Sequence, residues 1–261
     1  MTMPWRRILT RGIAESVALA RSGAVPQAGL RILMYHAVGS PAVGDSLGIY
    51  NISPKLFAQQ AAALAAHHHE KIVSLENGMQ SSETLRIAVT FDDGYRDNLY
   101  CAAPILRELE IPFTVFVCTG FIQESSGRYL SKNDLRELST LDGVSIGSHG
   151  ATHELMTKLD SRKLRVELAS SKKLLEDITG RPVSTLSYPH GAVDARVRDA
   201  AVEAGYLIGA CSRFDINSPT RDPLMLCRTD ILGIDSLRVF KQKIRGDWDW
   251  YRWRAPDVSA P

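Results

Sequence analysis

"RIAVTFDDGY", residues 86–95, is the stretch on which the fold turns. Ile87–Phe91 reads as a strand, and it ends in two adjacent carboxylates, Asp92 and Asp93, followed by Gly94. Asp and Gly suit turn geometry, so the tripeptide can be a plain turn. It can also be half of a metal site that carries its own base. The rest of the chain has to decide.

Working outward, short apolar runs alternate with helical patterns over most of the 261 residues. "RILMY" (31–35) reads as a strand, and residues 53–68 as a helix with Ser53 as cap and Pro54 at its first position. Further on, "CAAPILRELE" (101–110) is helical and "FTVFV" (113–117) extended. "SKNDLRELSTL" opens on a capping-box pattern, Ser131 with Asp134. "VSIGS" (144–148) is a short strand. Residues 161–180 form the clearest helix, with Leu164, Leu168, Leu175 and Ile178 on one face and Gly180 and Pro182 to stop it. "VSTLS" (183–187), "DARVRDAAVEAG" (194–205) and "YLIGAC" (206–211) continue the series. Such alternation predicts an α/β fold with a parallel sheet; an open sheet and a closed barrel both satisfy it.

Titratable residues follow four of these strands. His36 comes after "RILMY", and Asp92 and Asp93 after "IAVTF". "VSIGS" is followed by His149 and His153, and "VSTLS" by Tyr188, Pro189 and His190. In parallel barrels the C-terminal rim of the strands is where catalysis is built. One carboxylate and two imidazoles make a three-ligand site with positions left for water and substrate. His149 and His153 reach one ion together if their segment makes a helical turn. Successive side chains of an extended chain diverge, so one Asp can ligate while its neighbour serves as base.

In this order, "TFDDGY", "SHGATH" and "YPHG" resemble the motifs of the NodB-homology polysaccharide deacetylases, carbohydrate esterase family four. The resemblance spans roughly residues 30–245. It implies a distorted (β/α)7 TIM-like barrel in a single domain. It also implies Asp92 as catalytic base, and Asp93, His149 and His153 as ligands of a divalent ion: Zn2+ first, with Co2+, Ni2+ and Mn2+ also admitted by the donor set. The His190 N–H matches the family's oxyanion donor, with Pro189 and Tyr95 on the substrate side. The family's late "LxH" acid is missing, because no histidine follows His190. "LMYHAV" instead resembles the early "MYH" motif of an exopolysaccharide N-deacetylase branch, which makes His36 the implied acid. The third motif lacks the arginine that pairs with the base, and Arg228 in "LCRTDI" is the expected substitute.

The implied function is a metal-dependent hydrolase that removes acetyl groups from N-acetylated amino sugars of a surface polysaccharide or its precursor. Related members act on acetylxylan or cyclic amides. Two rivals come from other classes. "GVSIG" (143–147) fits the nucleophile elbow of a serine esterase with Ser145 at its tip, although Val144 and Ile146 alternate about Ser145 as in a strand. A sugar-binding pseudoenzyme is the other.

Composition sets the remaining expectations. Lys and Arg number 31 against 29 Asp and Glu, so no basic field argues for nucleic acid. The cysteines Cys101, Cys118, Cys211 and Cys227 show no CxxC spacing and read as buried thiols of a reducing compartment. We divide the chain into a basic amphipathic segment (1–28), the barrel (29–246) and an aromatic tail (247–261). The first segment puts Trp5, Leu9, Ile13 and Val17 on one helical face, which either packs on the barrel or touches a membrane surface. Arg11 and Glu15 interrupt its apolar stretch, so no clear signal peptide is read and a cytoplasmic site of action, or the inner face of a membrane, is expected. "HHHE" (67–70) reads as an incidental cluster at a helix end, and the tryptophans of "DWDWYRWRA" (247–255) as a packed tail.

Overall fold

The computed structural model describes residues 4–21, 26–42, 44–45, 47–68, 71–80, 83–124 and 126–254. In chain order the elements begin with α1 (Pro4–Ala20), β1 (Gly29–Tyr35), β2 (Ala37–Val38), β3 (Asn51–Ile52), α2 (Pro54–His68) and β4 (Leu85–Phe91). Next come α3 (Ala103–Glu108), β5 (Phe113–Val117), α4 (Lys132–Thr140), β6 (Val144–Ser148), α5 (Ser161–Thr179) and β7 (Thr185–Ser187). The chain closes with α6 (Ala195–Glu203), β8 (Ile208–Ala210), β9 (Thr229–Asp230) and α7 (Leu237–Arg245).

Seven strands form one sheet in the order β8-β7-β6-β5-β4-β1-β9, and every pairing within it is parallel. The sheet is a half-barrel with flanking helices, a distorted (β/α)7 barrel in a single domain. β1 and β5 are buried throughout, and β4 except at Arg86. Strands covered on both faces need near-continuous apolar runs, and these sequences supply them. Rings pack between strands and helices: Phe91 lies 5.5 Å from Tyr35, 5.8 Å from Phe57 and 5.7 Å from Phe113.

Helix ends follow the expected chemistry. Ser53 Oγ accepts from Leu56 N–H, and Ser131 and Asp134 exchange the two bonds of a capping box. Leu164, Leu168, Leu175 and Ile178 of α5 are buried, and Gly180 ends that helix at φ 68°. The start of the third helix differs from expectation. A π-helical turn, Asn98–Ala102, precedes α3, and Ala103 N–H bonds Asn98 O five residues back. Pro104 has no N–H to give, so regular α-bonding cannot run through this point.

The seam between β8 and β9 was not foreseen. Residues 211–228 fill it: Ala210 bridges Leu226, and Asn217 pairs with Leu30. The buried Asn217 side chain bonds the backbone of Leu30 and Cys227, replacing the ladder that two adjacent strands would make.

α1 does form, but Ala14 rather than Ile13 faces inward; Ile13 is 45% exposed. Glu15 pairs with Arg238 of α7, and Arg21 Nη1 donates to Gly246 O. These polar tethers set the helix's rotation; the Trp5 and Leu9 side chains lie outside the described set. Of the aromatic tail, residues 247–254 are described and lie on the barrel, but Trp253 is 82% exposed and does not pack as expected. Asp249 takes a bidentate pair from the buried Arg31 at 2.8 Å, and Tyr251 packs on Phe214. His67 and His68 end α2, and the side chains of the 67–70 cluster fall outside the described residues. No helix among the described residues is long and apolar enough to cross a membrane.

Candidate active site

The C-terminal ends of β1, β4, β6, β7 and β9 meet at a cleft of about 460 Å³. Its walls include His36, Tyr50, Asp92, Asp93, Tyr95, His149, His153, His190 and Asp230.

"DDG" is both a turn and a polar site. Asp93 and Gly94 adopt left-handed backbone, φ 72° and 74°. The turn, not an extended chain, sends the two carboxylates apart. Asp92 points into the barrel and is held by Arg228: Nη1 to Oδ1 is 2.7 Å and Nη2 to Oδ2 is 2.8 Å. Arg228 is fully buried and also donates to Ser187 Oγ and Cys211 O. Ser187 Oγ donates to Asp92 Oδ2 at 3.2 Å. Burial alone would raise the Asp92 pKa. The Arg228 charge overcomes that and holds the carboxyl well below the usual carboxylate range, helped by His149 and His36.

Asp93 faces the two imidazoles. Its Oδ1 lies 3.4 Å from His149 Nε2 and 3.3 Å from His153 Nε2, and the three ligand atoms all fall within 4.8 Å of one another. The same Oδ1 is buried without a well-formed hydrogen bond. His149 Nδ1 donates to Ser187 O at 2.8 Å, which leaves the Nε2 lone pair aimed at Asp93. A buried unsatisfied carboxylate oxygen between two imidazole nitrogens is a donor set that a divalent cation fits. Burial pulls the His149 pKa down. At His153 burial acts the same way, but Asp93 outweighs it and the pKa is raised.

The histidines do not converge through a helical turn. Residues 149–155 bend irregularly, with Gly150 at φ 75° and His153 at φ 62°. The bend closes on Glu167 of α5, whose Oε1 accepts Ala151 N–H and Thr152 N–H, each at 2.7 Å. Glu167 lies outside the motifs, yet the sequence carries a signal for it: it sits on the apolar stripe of α5 between Leu164 and Ser171, where a charge needs partners.

His36 is held through its backbone, Asn98 Nδ2 donating to His36 O at 2.9 Å. Its ring lies 4.6 Å from that of Tyr50, and its Nδ1 is buried without a hydrogen bond. Asp230 enters the same cleft, two residues after Arg228 on the same face of the chain. Burial raises its pKa against the pull of Lys243 and His36. Asp230 belongs to none of the motifs, although its alternation with Arg228 is visible in "RTD".

His190 sits at φ 58° in a single 3-10 turn, its ring 4.7 Å from His153. Pro189 is buried within that turn rather than on the cleft wall. Tyr95 is buried, with its ring tilted 5.0 Å from that of Tyr129, which in turn stacks on Phe121. Ser145 lies mid-strand in β6, paired with Thr114, outside the residues lining this cleft. A nucleophile elbow needs a turn into a helix, so the serine-esterase reading fails on geometry.

Residues 80–209 match the family model described as polysaccharide deacetylase. YxkH of Bacillus subtilis, named as a polysaccharide deacetylase, is 29% identical over 187 residues, 69% of this chain and 63% of its own length. The poly-beta-1,6-N-acetyl-D-glucosamine N-deacetylase of Staphylococcus aureus is 24% identical over 178 residues, 61% of this chain and 60% of its own. The chain thus spans less than two thirds of either relative. BC0361, a polysaccharide deacetylase from Bacillus cereus, has a crystal structure that superposes with a TM-score of 0.72 at 25% identity, covering 84% of this chain and 69% of that one.

Proposed function

Because the chain belongs to the polysaccharide deacetylases, we propose that it removes acetyl groups from N-acetylated amino sugars of a surface polysaccharide or its precursor, as a metal-dependent hydrolase. The observation that carries this reading is the unsatisfied Asp93 oxygen between His149 and His153, beside an Asp92 held anionic by Arg228. The name of the staphylococcal relative supports the N-acetylglucosamine class.

Asp93, His149 and His153 would hold the ion; Zn2+, Co2+, Ni2+ and Mn2+ all suit one carboxylate and two imidazoles. Such an ion supplies Lewis acidity toward the amide carbonyl and lowers the pKa of water to about 7. The protein's own groups do the rest. Asp92 takes the proton of the attacking water as its oxygen bonds the carbonyl carbon. The His190 N–H faces the developing oxyanion; losing one such donor commonly costs about 2.7–4 kcal/mol. His36 protonates the amine as the C–N bond breaks, with Asp230 beside it in the cleft. Acetate and a free amino sugar leave. Phe121, the most exposed ring of the Tyr95–Tyr129–Phe121 cluster, offers apolar surface on the cleft wall against which a sugar can pack.

The test is acetate release from N-acetylglucosamine oligosaccharides of several lengths, before and after chelation and with metals restored. We expect release that is lost on chelation. Asp92→Asn should abolish turnover and spare metal content, while His153→Ala lowers both. Equal metal loss in both variants would contradict this division of roles, and no acetate from any N- or O-acetylated sugar would sink the function.

A further inference from the structure

We infer that Glu167, on α5 and outside the three motifs, is a positioning residue that folds the 149–153 segment into its ion-holding shape. The inference rests on the reading of Asp93, His149 and His153 as metal ligands.

Two imidazoles four residues apart meet at one point either on a helix or on a bend that something else enforces. Here the backbone is irregular, and Gly150, Ala151 and Thr152 all bond to groups outside the segment. Ala151 and Thr152 N–H both end on Glu167 Oε1, and Thr152 Oγ lies 3.1 Å from each carboxylate oxygen. On the opposite side Thr119 N–H donates to Gly150 O at 3.1 Å and Gly120 N–H to Ala151 O at 2.7 Å. Gly150 N–H is taken by Ser148 Oγ. The segment is clamped between the 119–123 turn and one carboxylate. Glu167 is 6% exposed, so water cannot readily replace it. A Cβ on Gly150 would come within 2.8 Å of Glu167 Oε1, so the glycine leaves room for the carboxylate as well as for φ 75°.

Removing the acceptor frees two amides that were bonded to a charge, and the bend can then relax toward ordinary backbone at His153. The ligand that suffers is His153; His149 keeps its own bond to Ser187 O. Partners that orient metal ligands commonly contribute 10–100-fold in metal affinity.

The probe is zinc alone, titrated into metal-free protein against a chromogenic chelator, with no substrate present. Glu167→Leu and the shortened Glu167→Asp should bind zinc about 10–100-fold more weakly than wild type. Glu167→Gln, which keeps an acceptor oxygen, should recover most of the affinity. Leu175→Ala, buried on the same helix, should lower Tm and leave the zinc Kd where it was. If Glu167→Leu does not fold, Glu167→Asp decides. The inference is overturned if both bind zinc like wild type, or if Leu175→Ala loses as much affinity as they do. Wild type that takes up no zinc would overturn it together with the metal-site reading. Wild type that binds zinc but releases no acetate would remove only the proposed reaction.

Discussion

Arg228 and Asp92 make a buried ion pair whose value can be measured without any substrate. The guanidinium is fully buried and the carboxylate 3% exposed, joined by two bonds of 2.7 and 2.8 Å. With charge centres roughly 4 Å apart and an effective dielectric of about 20, the attraction is about 4 kcal/mol. Breaking a buried pair from one side strands the other charge, which typically costs about 3–5 kcal/mol. The two single variants should differ. Arg228→Met leaves Asp92 with Ser187 Oγ as its hydrogen-bond donor, so the full loss of about 3–5 kcal/mol is expected. Asp92→Asn leaves Arg228 still bonded to Ser187 Oγ and Cys211 O, so a smaller loss of about 1.5–3 kcal/mol is expected. In the double variant neither charge is stranded, and it should be more stable than Arg228→Met alone. Urea unfolding of metal-free protein at neutral pH reads all four corners of the cycle. A coupling energy below about 0.5 kcal/mol would refute the argument, because contacting residues of one network should not behave additively.

Three further outcomes are expected. At free zinc one hundred times its Kd the bound ion adds about 2.7 kcal/mol, so chelation should lower Tm by about 5–10 °C in a thermal melt; an unchanged Tm in protein shown to bind zinc would contradict native-state binding. Asp134→Ala should cost about 1 kcal/mol at pH 7, because the capping box is lost. Burial raises the Asp134 pKa, but the Tyr100 hydroxyl and Ser131 overcome it and leave it lowered. Its contribution is therefore full above about pH 3.9, the unfolded value, and fades as pH falls below; the wild-type advantage measured in urea should shrink at pH 3. Burial pushes the Cys118 thiol up to about 12, so iodoacetamide at pH 8 should leave it unmodified in folded protein and label it in urea, as peptide mass spectrometry would report.

Much of the barrel was legible because its strands are buried on both faces, and that demands apolar runs that composition alone exposes. Caps were legible for the same kind of local reason, as Ser53, Ser131 with Asp134, and Gly180 illustrate. What escaped notice depends on distant partners. β9 is two residues long and exists because Leu33 and Met34 lie beside it. The 211–228 crossing is polar in sequence, and its place in the barrel rests on the Asn217 side chain bonding Leu30 and Cys227. The rotation of α1 is set by Glu15 and Arg21, tethered to residues more than two hundred positions away. The site divides in the same way. Motifs brought forward Asp92, Asp93, His149 and His153. Ser187, Asp230 and Glu167 belong to no motif, and their roles depend on what the fold sets opposite them.

The backbone shows why motif and support must go together. Asp93, His153 and His190 have φ of 72°, 62° and 58°; among the described residues the other non-glycine residue with positive φ is Glu110. Side chains in this region cost of order 1–3 kcal/mol each when strained, and they persist only where surroundings over-determine them. At Asp93 the reversal sends neighbouring carboxylates to different tasks within one residue, one toward Arg228 and one toward the histidines. At His153 it turns an imidazole back onto Asp93, which an extended continuation after His149 would not do. Compensating contacts surround each turn: Leu130 N–H on Gly94 O, the 151–152 amides on Glu167, and Gly191 N–H on Tyr188 O. A chain carrying the motif residues alone would leave these turns free to relax, and the three ligand atoms would lose their common point.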